Sequence, residues 1–192
     1  MGVAALGGPA AHARADANLC TDPLPQVLRQ EIRTRYPGSV LPGISDFTTM
    51  HLEPFETLGQ QCPAVAVADV DGDGAKDFGL LVELGDGETV LLVAREKHSR
   101  WLIDVVARLG KDRRGNAYVS AIEAGRYEDR LDKATKPVGS EPLVPRVRSY
   151  LAQAPGFIAG DMQIAGATHA AFFHNGRKWI YLRVTDRRKS DD

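Results

Sequence analysis

Residues 69–77 read Asp-Val-Asp-Gly-Asp-Gly-Ala-Lys-Asp, and this short stretch restricts the chain more than any other. Carboxylates so closely spaced repel one another unless a cation sits among them. Gly72 and Gly74 permit a sharp bend, so that alternate side chains turn inward. A hard divalent cation such as calcium takes six to eight oxygens at about 2.3–2.6 Å. The carboxylates of Asp69, Asp71, Asp73 and Asp77, with the backbone carbonyl of Ala75, make a set of that kind. The expected cofactor is therefore Ca²⁺, and the plainer alternative is a polar turn that uses Asp and Gly for their turn propensities.

An EF-hand would place a bidentate Glu at the twelfth loop position, which here is Leu80 in an apolar run. The loop instead resembles those of the FG-GAP and VCBS repeat families, in which Asp-rich calcium loops join two β-strands. Ala64 to Ala68 before it and Phe78 to Leu84 after it supply matching flanks. The resemblance covers the loop and these two strands, and it implies calcium ligation by Asp69, Asp71, Asp73 and Asp77. Those families build propellers from several repeats, whereas this sequence carries one copy, so neither a propeller nor integrin-like adhesion is implied.

Around the loop, short apolar runs bounded by turn residues predict strands at 64–68, 78–84, 89–94 and 101–106. The intervening linkers suit hairpins, so an antiparallel meander is expected. Its runs are nearly continuous rather than alternating, which implies cover on both faces. Residues 23–36 place Leu24, Val27, Leu28 and Ile32 at helical spacing, with Asp22 as a cap and Pro37-Gly38 as a stop. After Pro42 and Gly43, residues 46–52 suggest a short strand, and Pro54 reads as a breaker. Residues 110–115 form a polar break, 128–145 a long surface loop and 147–152 a weak helix. Strand patterns return at 157–164, 169–174 and 178–185, with Asn175-Gly176 as a type I′ hairpin turn. The fold class expected is α+β: mostly antiparallel β-sheet with an N-terminal amphipathic helix packed on it. One globular domain is expected over 20–186, after a leader at 1–19 and before a polar tail at 187–192.

Residues 1–15 of the leader are small and apolar and end in Ala13-Arg14-Ala15, a pattern that signal peptidase accepts, but lack a charged n-region, so 1–19 reads as an export-signal remnant or a disordered leader. Cys20 and Cys62 are the two cysteines, and in an oxidising compartment they are expected to pair. A periplasmic or secreted protein is the expectation. The sequence has no apolar run long enough to span a membrane, and a formal net charge of -1 recruits neither nucleic acid nor anionic lipid.

No nucleophile elbow, phosphate loop or dinucleotide fingerprint occurs, and the histidines at 12, 51, 98, 169 and 174 show no metal or catalytic spacing. Glu53 and Glu56 read as surface residues, and Trp101 and Trp179 as core residues. No catalytic residue is assigned. The expected class is an exported calcium-stabilised binding protein that recognises another macromolecule, such as a protein or cell-envelope component, of the inhibitor or immunity kind. The alternatives are a small secreted hydrolase with a structural calcium site and a cell-envelope structural protein.

Overall fold

The computed structural model describes residues 18–124, 155–162 and 168–185. Residues 1–17 of the leader, the expected surface loop at 128–145, the weak helix at 147–152 and the C-terminal tail lie outside the described residues.

Two four-stranded antiparallel sheets carry the fold, which is α+β and mostly antiparallel. The first is a meander of β1 (Val65–Ala68), β2 (Asp77–Glu83), β3 (Glu88–Lys97) and β4 (Arg100–Lys111). The second is a meander of β5 (Ala117–Ile122), β6 (Gly156–Asp161), β7 (Thr168–His174) and β8 (Trp179–Thr185). The nearly continuous apolar run of β3 has the meaning expected of it: Val90 to Ala94 are fully buried in succession, so both faces of the strand are covered. Residues of both sheets share one core, with Leu80, Val82, Leu91 and Val93 joined by Val119, Phe157 and Phe172. The sheets approach closely at Gly79, where an added Cβ would lie 3.0 Å from the ring of Phe157. Any larger residue at this position of β2 would press on the Phe157 ring.

Helix α1 spans Gln26–Arg35, starting later than the periodicity suggests. Pro25 stands at the cap position in place of Asp22, and its carbonyl accepts from the Arg29 N–H at 3.1 Å. Leu28 and Ile32 are fully buried, and Arg35 Nη1 donates to the Ile103 carbonyl of β4. Cys20 and Cys62 form a disulfide with Cα atoms 5.0 Å apart, tying the segment before α1 to the start of β1.

The structure corrects three local expectations. Residues 46–52 form no strand: a 3-10 turn at Ile44–Asp46 leads into helix α2, Thr49–Thr57, with Pro54 inside it. Proline removes one backbone bond from this short helix, and the packing of Phe55 on Tyr118, with ring centroids 5.5 Å apart, opposes that loss. Glu53 and Glu56 thus stand on a helix rather than in a loop. Strand β5 went unforeseen, because Ala-Tyr-Val-Ser-Ala-Ile is short and only weakly apolar. At the C-terminal hairpin, His174 pairs with Trp179 and Asn175 N–H donates to the Lys178 carbonyl, so the turn centres on Gly176-Arg177. Gly176 has φ 84°, while Asn175 is not in the positive-φ region that a type I′ turn would demand of it. Glycine at the first central position is instead the type II′ pattern.

Candidate metal centre

The acidic loop is closed at its base by the antiparallel pairing of Ala68 with Asp77. Asp69 organises its near side: Oδ1 accepts from the backbone N–H groups of Gly72 at 2.8 Å and Asp73 at 3.1 Å, and Oδ2 from that of Gly74 at 2.9 Å. These bonds curl the chain around the Asp69 carboxylate, and Gly72 and Gly74 at φ 75° and 86° supply the left-handed backbone that the curl needs. Asp73 is exposed, and its Oδ1 accepts from the Ala75 N–H at 2.8 Å.

Asp77 closes the far side as the first residue of β2 and is fully buried. Its Oδ2 accepts from the Val70 N–H at 2.8 Å, whereas its buried Oδ1 has no hydrogen-bond partner among the described residues. Asp71 Oδ1 is likewise buried without a partner. A buried oxygen left unsatisfied costs about 1–3 kcal/mol, and more when charged, a cost that a cation or water bound at these oxygens would offset. Burial pushes the Asp77 carboxyl up to about 6; the Val70 N–H opposes this rise, and the charges of Asp71, Asp73 and Asp69 add to it.

One oxygen each from Asp69, Asp71 and Asp77 lies within 4.8 Å of the others. Oxygens that bind one divalent cation at about 2.0–2.6 Å lie no farther apart than about 5 Å, so the three carboxylates are close enough to share an ion. An all-oxygen donor set favours calcium or magnesium over zinc or copper. Of the residues expected to ligate, the structure thus gathers Asp69, Asp71 and Asp77 and leaves Asp73 outside the triad. Ala75 follows on the same loop, half-buried, so its carbonyl is available to the set only through the loop backbone.

Beside Asp71 stands a residue that no sequence pattern singles out. Arg95 is 8% exposed near the end of β3. Its Nη2 donates to Asp104 Oδ2 at 3.1 Å, and its Nη1 lies 3.2 Å from His174 Nδ1 and 3.7 Å from Asp71 Oδ2. The guanidinium also sits over the Trp179 ring, 5.6 Å from its centroid, and the Trp179 indole N–H donates to Asp104 Oδ2 at 3.0 Å. His174 Nδ1 receives the Gly176 N–H at 3.2 Å as well. Two donors on Nδ1 assign the imidazole proton to Nε2, and burial together with the Arg95 charge holds His174 below its usual pKa. The only sequence signal was a lone arginine ending the apolar run Val90 to Ala94.

A second concavity, of about 990 Å³, opens where the edges of the two sheets meet. Phe55, Leu58, Val65, Val67, Tyr118 and Ile122 are among the residues that line it. Gln60 braces its floor: Nε2 donates to the carbonyls of Cys62, Val65 and Val119, and Oε1 accepts from the Ser120 hydroxyl. Glu123 is the one carboxylate among its described lining residues, and no histidine is among them. Of the described residues, no helix is long and apolar enough to cross a membrane. Comparison with protein-family models, with curated proteins and with solved structures gives no match for this chain.

Proposed function

We propose that this chain is an exported, calcium-stabilised binding protein that recognises another macromolecule. The observation that carries the reading is the gathering of Asp69, Asp71 and Asp77, one carboxylate oxygen of each within 4.8 Å of the others, where Asp71 and Asp77 each also keep a buried oxygen with no hydrogen-bond partner among the described residues. In this reading Ca²⁺ is held by Asp69, Asp71 and Asp77, with Asp73 and the Ala75 carbonyl drawn in from the same loop, as in the FG-GAP and VCBS loops that the sequence resembles. The ion cross-links β1 to β2 and takes no part in chemistry. The disulfide supports a periplasmic or secreted location, because such bonds persist in oxidising compartments. The N-terminal amphipathic helix is the lasting cover of the first sheet, fastened beside it by that bond.

The groove between the sheet edges favours recognition over hydrolysis. Leu58 is 72% exposed and Val67 40% exposed at its rim, apolar surface suited to a partner protein or cell-envelope component. A hydrolase would need convergent titratable groups there, and the described lining offers Glu123 as its one carboxylate.

The test is retention of envelope and culture-medium proteins on the immobilised chain, with calcium and with chelator, for wild type and for Leu58→Glu and Val67→Glu. A defined partner held by the wild type in calcium, weakened by chelator and lost with either groove variant, supports the reading. Retention indifferent to both calcium and the groove variants contradicts it.

A further inference from the structure

Taking a guanidinium out of water is costly unless acceptors face it, and the acceptors around Arg95 belong to different parts of the fold. Asp104 lies on the neighbouring strand β4, His174 and Trp179 flank the turn of the β7–β8 hairpin, and Asp71 lies in the acidic loop. The Nη1 atom is shared: His174 Nδ1 is within hydrogen-bond distance at 3.2 Å, whereas Asp71 Oδ2 at 3.7 Å is an ion-pair contact only. We propose that Arg95 is a built-in competitor for the cation at Asp71, neutralising that carboxylate when the loop is empty and yielding it when an ion binds. This rests on the reading of the loop as a calcium site and adds how its affinity is set.

Three observations support the exchange. A guanidinium so close to Asp71 Oδ2 stands within about 6 Å of any ion that Asp71 ligates, where a unit charge repels a divalent one appreciably. Asp71 meets Arg95 at 3.7 Å, beyond hydrogen-bond distance, and its Oδ1 has no hydrogen-bond partner among the described residues, so an ion would displace no hydrogen bond that these atoms make. Arg95 in turn keeps the Asp104 carboxylate and the Trp179 ring, so giving up Asp71 does not leave it a bare buried charge. Because Asp104 Oδ2 also receives the Trp179 indole N–H, a shift of Arg95 toward Asp104 is felt at that indole. Occupancy of the loop in the first sheet is thereby transmitted to the hairpin of the second.

The experiment is calcium titration of the full chain by calorimetry, with the ¹⁵N-indole signals of the tryptophans followed by NMR and Trp101→Phe used for assignment. Arg95→Met removes the competitor while keeping an apolar stem, and is expected to tighten calcium binding by about three- to tenfold. It should also abolish the calcium-dependent shift of the Trp179 indole. Arg95→Lys keeps the charge and should bind within about twofold of wild type. Asp104→Asn removes the fallback carboxylate, holds Arg95 on Asp71 and should weaken binding, an effect of opposite sign that loss of packing alone would not produce. Unchanged or weaker calcium binding by Arg95→Met, or a Trp179 signal that calcium leaves unmoved in the wild type, overturns the competition while leaving the calcium site intact. A wild type that binds no calcium overturns both.

Discussion

Asp77 Oδ2 accepts the Val70 N–H at 2.8 Å, while the other oxygen of the same buried carboxylate has no hydrogen-bond partner among the described residues. One half of the side chain thus anchors the loop to β2, and the other half is left for a ligand. In the proposed reading the loop carries electrostatic strain without a cation and becomes a cross-link with one.

That strain has a pH signature. Burial raises the folded-state pKa of Asp77 from 3.8 to about 6, so the folded protein holds this proton more tightly than the unfolded chain does. The contribution favours folding fully below the unfolded value and is lost as pH rises through about 6. In chelator, the melting temperature should therefore fall between pH 4 and pH 7 by an amount equivalent to about 1–3 kcal/mol from this group. Asp77→Asn should remove that component of the pH dependence, raise the metal-free stability at pH 7 and abolish stabilisation by calcium. Thermal melts of both proteins across this range, with and without calcium, provide the check.

Gly79 and Phe157 offer a test of how the sheets meet. A Cβ on Gly79 would stand 3.0 Å from Phe157 Cδ1 and 3.1 Å from two further ring atoms. Gly79→Ala should destabilise by about 1–3 kcal/mol through overpacking. Combined with Phe157→Leu it should cost less than the sum of the two single changes, since the smaller side chain vacates the clash. Additive losses in denaturant titrations would mean that the two residues do not share this contact.

The Cys20–Cys62 bridge spans a sequence separation of 42. Closing a loop of this size stabilises by about 4 kcal/mol in the chain-entropy model. Replacing both cysteines with serine should lower stability by about 2–4 kcal/mol, and intact mass before and after reduction should differ by two hydrogens. Two freely alkylated thiols in protein from an oxidising compartment would contradict the bond.

How far the sequence could be read depended on the range of the interactions involved. The β1–β4 meander was legible because buried strands write near-continuous apolar runs between turn residues, as Phe78 to Leu84 and Thr89 to Ala94 do. The acidic loop was legible because its residues are contiguous. Helix α2 was hidden by Pro54, whose local cost is opposed by a contact between Phe55 and the distant Tyr118. Asn175-Gly176 marked the hairpin correctly but misplaced its centre by one residue, since Asn175 Oδ1 captures the N–H groups of Arg177 and Lys178. Arg95 was invisible for the same physical reason. Its partners Asp71, Asp104 and His174 come from three separate elements, and no spacing along the chain records that they meet.

The most direct test of the central claim is isothermal titration of the wild-type chain with calcium at neutral pH, up to about 10 mM. Extracellular calcium modules bind with dissociation constants of about 10⁻⁴–10⁻³ M, so one ion per chain in that range is the expected result. At 1 mM calcium this corresponds to about 0.4–1.4 kcal/mol of added stability. Asp71→Ala should reduce the binding heat to that of dilution. A wild type that shows no heat of binding across the titration would make residues 69–77 a polar turn and would contradict the account.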